Sequence, residues 1–522
     1  MVTEDQSAVI EFLSQPSTHG GAAVERVETH ASIVFLVGTR AYKMKRAVRY
    51  DYLDFSTVAR RKAMCEAELR INRRVAPQLY RDVIAVTRAA GGTLALGGAG
   101  TAVEWLIEMS RFDQEYLLDR LAGRQALDLD VMDPLASVIA RFHYSAEPRP
   151  DHGGAAGLAW VIDGNATGFA EQGKGALDEA TCDAVTREAR RALDRQAALL
   201  DARRDAGRVR QCHGDLHLRN IVLIDGRPTL FDAVEFNDEI ACIDVLYDLA
   251  FLLMDLSRRE LPRHANVLWN RYLGAAGEFD GLTVMPLFLA CRAAVRAKTS
   301  ATAARLERDA SRRIDLENLA RRYLDMARRL LRPVAPAVIA IGGLSGSGKS
   351  VLAQALAPGI GPVPGAVVIR SDVIRKELSG VGPLDRLGPE GYSADVSRRV
   401  YAAVAERAVS IVRGGYTAIA DAVFARPADR DVIERVASDC GVAFAGLWLD
   451  APEAVLVARA EHREHDPSDA DADVIRRQLA QDVGPIAWNR LDASSARARV
   501  ERRAAELLSR RLDTTAMSRI AD

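Results

Sequence analysis

Short apolar runs set apart by charged or glycine-bearing breaks dominate the first hundred residues. SIVFLVG (32–38), RAYKMK (40–45), RDVIAVT (81–87) and TAVEWLIEM (101–109) read as strands of a small, mostly antiparallel lobe over about 25–110, with TVARRKAMCEAELRINRRV (57–75) as its one helix. From Phe112 onward helical patterns prevail, interrupted at 212–234 by the apolar runs NIVLID and TLFDAV with GRP as the turn between them. A charged helical region then ends in IDLENLARRYLDMARRLLRPVAPA, where Pro333 and Pro336 stop the helix and mark a domain boundary. Beyond it AVIAIGG, GAVVIRSD, YTAIADAV and VAFAGLWLD alternate with helical stretches to about residue 512. The pattern predicts α/β and α+β architecture in two domains. The first covers 1–332, with a sheet lobe over about 25–110 and a helical lobe over 111–332. A linker at 333–337, a second domain over 338–512 and a loose tail over 513–522 follow.

Composition narrows the class. At 522 residues the chain exceeds what one hydrophobic core organises, so two or three domains are expected. Apolar residues make up 48% and charged ones 27%, and the formal net charge is -1, which gives no bias toward nucleic acid or an acidic membrane surface. The six cysteines are scattered singly, without the spacing of a zinc set or a redox pair, so neither disulfides nor structural zinc are expected. The start, MVTEDQSAVIEFL, is acidic and amphipathic, and no apolar stretch approaches the length of a membrane span; a cytoplasmic protein is expected. Nine arginines between Arg305 and Arg332 outnumber five acids there, which reads as a solvated helix face with internal ion pairs. Only seven of the 70 basic residues are lysines, so a lysine retained in a phosphate-type motif carries weight.

The sharpest motif is GLSGSGKS: Gly343, Leu344, Ser345, Gly346, Ser347, Gly348, Lys349 and Ser350 spell the G-x-x-x-x-G-K-[ST] phosphate loop between the strand AVIAI and the helix SVLAQALA. Its glycines turn backbone N–H groups toward phosphate oxygens, Lys349 reaches the β/γ-phosphates and Ser350 suits Mg²⁺. Just past the next strand, Asp372 is placed to accept a proton from an acceptor hydroxyl. Asp421, ending YTAIAD, is the second carboxylate at a strand's carboxyl end and suits the metal. Arg459 and Arg463, four apart in ARAEHREH, fit a mobile lid that brings guanidinium charge to the phosphates.

HGDLHLRN (213–220) raises a second question, since two histidines and an aspartate at alternate positions also suit a metal. The nearest other histidines lie in unrelated context, and a phosphotransfer loop accounts for more residues. Asp215 and Asn220 have the five-residue spacing of a catalytic base and a Mg²⁺ ligand, and Asp232 in TLFDAVEF supplies a second metal-binding acid. Such a site needs a lysine on a sheet-lobe strand and a helical glutamate to orient it. Lys43 is expected for the α/β-phosphates, with Lys45 on the same strand face as the alternative, and Glu66 as its partner, or Glu68 if the helix phase is shifted.

HGDLHLRN, LFDAVEF, YDLAFLL and ASVIARFH together resemble aminoglycoside phosphotransferase and choline-kinase-like enzymes, over about residues 25–330. The resemblance implies a bilobal protein-kinase-like fold, Asp248 as the brace of the catalytic loop, and Glu108 to Arg111 as the adenine-contacting hinge. One departure is that VETHASIVFLVG stands where a glycine-rich loop would precede Lys43, which leaves GTP open beside ATP at this site. Residues 336–512 resemble small P-loop kinases related to gluconate kinase, polynucleotide 5′-kinase and zeta toxin, which implies a P-loop NTPase fold. The whole resembles bacterial two-domain proteins that join these parts. The expectation is a bifunctional Mg-ATP-dependent kinase for small hydroxylated acceptors, the first of them bound around 150–200. A regulatory protein with one inactive nucleotide site and a nucleic-acid end kinase are the alternatives; oligomeric state is not encoded.

Overall fold

The computed structural model describes residues 2–50, 52–382, 384–462 and 467–512. Packing groups the chain into two units: residues up to Gly164 with Leu193–Asp255, and Asn165–Ala192 with the chain from Leu256 onward.

The first unit is built on a six-stranded antiparallel sheet, in the order Val24–Glu28, Ser32–Val37, Arg40–Lys45, Thr101–Ser110, Tyr80–Arg88, Leu94–Leu96. Side chains alternate between its faces. Ile33, Phe35 and Met44 meet Val9 and Leu13 of the amphipathic helix Ser7–Ser14 on one face. Leu36, Ala41 and Ile107 meet Cys65 and Leu69 of the helix Val58–Asn72 on the other. That helix opens at Thr57, whose hydroxyl accepts the Arg60 N–H at 3.3 Å. The same alternation puts Lys43 and Lys45, with Ala41, on the face toward Val58–Asn72.

Downstream, Ile221–Ile224 and Arg227–Leu230 form the expected hairpin, but its turn is Asp225-Gly226, not GRP. Both turn residues have positive φ, 50° and 73°, the backbone of a tight two-residue hairpin, and Pro228 sits inside the second strand opposite Leu223. The strand ends at Leu230, which leaves Phe231 and Asp232 in the loop beyond it. The stretch 150–200 is occupied by the helices Gly154–Gln172 and Glu179–Asp205.

The second unit carries a five-stranded parallel sheet, ordered Val367–Arg370, Ala418–Asp421, Ala337–Gly343, Ala443–Asp450, Asn489–Asp492. The last of these had no counterpart in the sequence pattern. The central strand Ala337–Gly343 is buried throughout, as a parallel strand covered on both faces must be. Helices Pro262–Ala276, Met285–Leu306 and Ala310–Leu330 belong to this unit as well. The tail 513–522 lies outside the described residues. Among the described residues no helix is long and apolar enough to cross a membrane.

Candidate active sites

In the first unit, the loop after Val209–Gln211 is held from beneath by Asp248. This wholly buried carboxylate accepts the backbone N–H of His213 at 3.0 Å and of Gly214 at 2.9 Å. Gly214 has φ +78°, and a Cβ there would stand 3.1 Å from the Ile240 carbonyl oxygen and from Val234, so the turn favours glycine. His143 Nε2 lies 3.0 Å from the same Asp248 carboxylate. His143, Cys212 and Asp248 have the spacing of a metal cluster. They serve as a brace instead: both Asp248 oxygens carry backbone hydrogen bonds, and burial pushes the Cys212 thiol far above its ordinary range, away from the thiolate a metal needs.

The two histidines of HGDLHLRN do not converge on one point. His213 is buried, its Nε2 donates to the Phe231 carbonyl at 2.9 Å, and burial lowers its pKa, so the ring is neutral. His217 accepts the Arg219 N–H on Nδ1 at 3.2 Å, which leaves the proton on Nε2, 3.3 Å from Asp215 Oδ2. Asn220 Nδ2 donates to the same Oδ2 at 3.0 Å and to the Asp215 carbonyl at 3.0 Å. Asp215 thus sits in a loop whose side chains hold one of its oxygens from two directions. The Phe231 N–H donates to the Asn220 carbonyl at 3.1 Å, which staples the start of the Asp232 loop to the end of the Asp215 loop. Asp232 has φ +63°, and its N–H donates to the Tyr80 hydroxyl at 3.0 Å.

Lys43 and Lys45 enter this site together. Lys43 Nζ lies 2.8 Å from Glu68 Oε1 and forms a close ion pair with Asp232. Lys45 Nζ lies 2.7 Å from Glu68 Oε2 and forms a close ion pair with Glu235. The partner expected at Glu66 is therefore Glu68. Glu66 projects to solvent and meets Lys62 at 3.4 Å, because the buried stripe of this helix runs Arg61, Cys65, Glu68, Asn72. Burial opposes ionisation of Glu68, yet the two ammonium groups outweigh it and hold the carboxyl below its ordinary range. Both lysines are held above theirs: the carboxylates more than offset the cost of burial. Beside the end of Thr101–Ser110, a cleft of about 470 Å³ is lined by Gly38, Thr39, Arg111, Phe112 and Gln114. Arg111 donates its N–H to the Thr39 carbonyl at 2.8 Å, and Glu108 pairs with Arg40 at 2.8 Å.

In the second unit, Gly343, Gly346 and Gly348 have φ of 138°, 83° and 90°. A Cβ on Gly346 would stand 2.3 Å from the Leu456 carbonyl oxygen, and one on Gly343 would stand 2.6 Å from that of Leu449. The loop therefore turns as its spelling predicts and opens the helix Lys349–Leu356. Lys349 Nζ donates to the Leu344 carbonyl at 3.0 Å, and Ser350 is the second residue of the helix. Ser347 is buried beside them. The Ser345 N–H, a donor of the kind the loop offers to phosphate, is taken by Gln478 Oε1 at 2.9 Å. The Gln478 side-chain oxygen occupies that donor, and no sequence pattern pointed to it.

Asp372 is the second residue of the helix Ser371–Leu378. Burial, then the neighbouring Asp421, raises its pKa against the pull of Lys349, Arg370 and Arg375. Asp421 ends its strand, buried, in register with Arg370 on one side and Ile341 on the other. The phosphate loop, Asp372 and Asp421 thus occupy the carboxyl ends of three adjacent strands, where open parallel sheets bind ligands. Arg459 reaches the Ala493 carbonyl at 2.9 Å, and its guanidinium lies near Gly348. Arg463, expected beside it, lies outside the described residues. Lys376 and Asp469 were also missed: buried Lys376 meets Asp469 at 3.1 Å, and Asp469 accepts the Tyr392 hydroxyl at 2.7 Å and the Leu387 N–H at 3.1 Å.

These geometries belong to two different fold types, one protein-kinase-like and one of the P-loop NTPase class. Residues 36–286 match the model of the phosphotransferase enzyme family and residues 338–485 that of an AAA domain, so the chain carries a phosphotransferase domain followed by a P-loop kinase-like domain. An uncharacterized protein of Mycobacterium tuberculosis (strain ATCC 25618 / H37Rv) is 28% identical over 490 residues, covering 90% of this chain and 93% of its own. Among solved structures, a gluconokinase from Sinorhizobium meliloti 1021 is 24% identical, covering 34% of this chain and 94% of its own, with a TM-score of 0.25. A choline kinase from Cryptosporidium parvum Iowa II is 11% identical, covering 62% of this chain and 95% of its own, with a TM-score of 0.41.

Proposed function

We propose that the chain is a bifunctional ATP-dependent kinase that transfers phosphoryl groups to hydroxyls of two small acceptors, one at each site. The observation that carries the reading is the stapling of the Asp215 loop to Asp232 together with the grip of Lys43 on both Asp232 and Glu68. At the first site, Asp215 takes the proton of the acceptor hydroxyl as it attacks, His217 and Asn220 keep its carboxylate turned, and Lys43 meets the α/β-phosphates. At the second, the backbone N–H groups of the phosphate loop and Lys349 hold the phosphates, and Asp372 takes the acceptor proton. Transfer of this kind asks little covalent chemistry of the protein, so positioned charge carries most of the rate.

The oxygen donors suit magnesium at both places: Asn220 and Asp232 at the first, Ser350 and Asp421 at the second. Burial first, and the neighbouring Asp421 second, raises the pKa of Asp372, and a cation there would favour its ionised form. Magnesium, when bound, would neutralise charge on the phosphoryl group being transferred. ATP is the nucleotide assigned to both sites, and nothing here favours GTP. Five of the six cysteines are buried and all six are free, in keeping with a reducing cytoplasm.

The test is a screen of sugars, amino alcohols, nucleosides and aminoglycosides with Mg-ATP, run on the unchanged protein, Asp215→Ala and Lys349→Ala. Each variant is expected to lose one product and keep the other. A product formed equally by all three proteins would remove the assignment of its site.

A further inference from the structure

The strand Val367–Arg370 is the edge of the parallel sheet, paired on one side only, with Ala418–Asp421. An exposed edge leaves N–H and C=O groups without partners. Here two asparagines of the helix Pro262–Ala276 supply them. Asn270 Oδ1 accepts the Val368 N–H at 2.7 Å, and Asn270 Nδ2 donates to the Ala366 carbonyl at 3.2 Å. A residue of a parallel strand bonds the C=O before and the N–H after the residue it faces, so the Asn270 amide acts as one residue of a sixth parallel strand opposite Val367. The Val368 donor requires the Asn270 oxygen to be where it is, which settles the orientation of the amide.

Asn266, one turn earlier and buried, donates to the Ala366 carbonyl at 3.0 Å and to the Pro364 carbonyl at 3.2 Å. Its approach needs a glycine: a Cβ on Gly365, at φ +113°, would stand 2.7 Å from Asn266 Nδ2. Between the two asparagines, wholly buried Trp269 packs on Tyr416 with ring centroids 5.8 Å apart, and the Tyr416 hydroxyl donates to the Val363 carbonyl at 2.9 Å. A buried amide, Asn266, and a half-buried one, Asn270, are costly on a packed helix face unless hydrogen-bonded, and their bonds go to the strand that runs into Asp372 two residues past its end, and to the residues just before it.

We propose that Asn266 and Asn270 are positioning residues of the P-loop site: their amides complete the sheet edge and so fix the strand that places Asp372. A helix inside the phosphotransferase-family match, residues 36–286, is on this view a working part of the second site. The proposal rests on the reading of that site as a kinase with Asp372 as its base.

The test uses full-length protein in an Asp215→Ala background, where consumption of Mg-ATP with water as acceptor reports the P-loop site alone. Asn270→Ala is expected to lower kcat roughly ten- to a hundredfold, the scale of an ångström-size misplacement, with affinity of the P-loop site for a fluorescent ATP analogue, read as the binding that Lys349→Ala removes, within about twofold. Exchange of the Val368 amide hydrogen should speed up at least about tenfold while the Ile339 and Ala420 amides stay protected. Asn270→Asp keeps the acceptor for Val368 and loses the donor to Ala366, so it should show a smaller loss, and it decides the matter if the alanine variant does not fold. Unchanged kcat, or a Val368 amide still protected in a folded variant, overturns the proposal. Lys349→Ala in the same background checks the reading beneath it: turnover that survives would sink the kinase assignment, whereas the Val368 exchange reports the clamp regardless.

Discussion

Glu68→Gln separates the two glutamates that the helix offers to the lysine strand. The substitution keeps the shape of the side chain and removes one negative charge from a site where Glu68 is wholly buried and bonded to Lys43 and Lys45 at 2.8 and 2.7 Å. Breaking a buried pair that leaves its partner uncompensated costs about 3–5 kcal/mol. Each lysine keeps a second carboxylate, Asp232 for Lys43 and Glu235 for Lys45, so the cost falls below that range, to about 2–3 kcal/mol. At about 2–4 °C per kcal/mol for a unit of this size, the melting transition of the first unit should fall by roughly 4–12 °C. Glu66→Gln removes only an exposed pair at 3.4 Å, worth about 0–0.5 kcal/mol, and should shift it by about 2 °C at most.

The pH dependence has a definite sign. A carboxyl held below its ordinary value of 4.5 contributes stability that is present above that pH and lost as pH falls through its folded pKa. The gap between the unchanged protein and Glu68→Gln should therefore be steady at neutral pH and close as pH falls below about 4.5. Calorimetry of the unchanged protein and both variants from about pH 3 to 8, with ATP binding at the first site as the functional readout, measures both effects. Equal damage from Glu66→Gln, or no loss of melting temperature in Glu68→Gln, would refute the reasoning.

Other perturbations read other parts of the two sites. Asp248→Asn turns an amide donor toward backbone donors and should cost about 2–3 kcal/mol, with first-site transfer abolished; calorimetry and the product screen check it. His217→Ala removes a side chain that holds Asp215 and should lower first-site kcat about tenfold with KM for ATP unchanged, His217→Gln restoring part of it; a rise in KM alone would count against the assignment. Gly346→Ala forces a Cβ to 2.3 Å from the Leu456 carbonyl oxygen at φ +83°, so ATP binding at the second site should disappear in a titration while the first site still binds. Chelating magnesium should weaken ATP at the first site more steeply than at the second, by titration of Lys349→Ala, which leaves the first site, and Lys43→Ala, which leaves the second, with and without the ion.

Where the chain's local chemistry decides structure, the residues announced it. The phosphate loop reads correctly because glycine is needed where φ is positive and a Cβ would strike a carbonyl, and the strand Ala337–Gly343 is an unbroken apolar run because both faces are covered. The hairpin turn was misplaced by the attraction of GRP, although Asp225-Gly226 carries the stronger signal for a two-residue turn. The phase of Val58–Asn72 could not be read from hydrophobicity, since its buried stripe is partly made of Arg61, Glu68 and Asn72, each satisfied by a distant partner. Gln478 and Asn270 were illegible for the same reason: their partners are backbone groups far along the chain, and an amide on a helix looks like any surface residue until those groups are in place.

On the proposed reading the two sites would meet phosphate charge by different physical routes. At the second, glycines at positive φ shape a loop whose remaining backbone N–H groups would meet the phosphates on the proposed reading, so dipoles fixed by the fold would do much of the work. At the first, the hairpin tip between Glu28 and Ser32 offers less of this, because the Thr29 hydroxyl accepts the N–H groups of Ala31 and Ser32 at 3.3 and 2.9 Å. The burden passes to Lys43 and Lys45, which are already tied to three carboxylates, Glu68, Asp232 and Glu235, leaving the group one negative charge in excess. A cluster so balanced orients its lysines without letting them attract phosphate strongly alone. Asp232 is the member that can change partner: its carboxylate is the exposed one of the three, and the φ of +63° sets it on a loop rather than a strand. A divalent cation drawn to Asp232 and Asn220 would release Lys43 from one of its two carboxylates, so metal and lysine become available to the nucleotide together. That coupling is the physical reason to expect the first site to depend on the metal more sharply than a glycine-lined loop does.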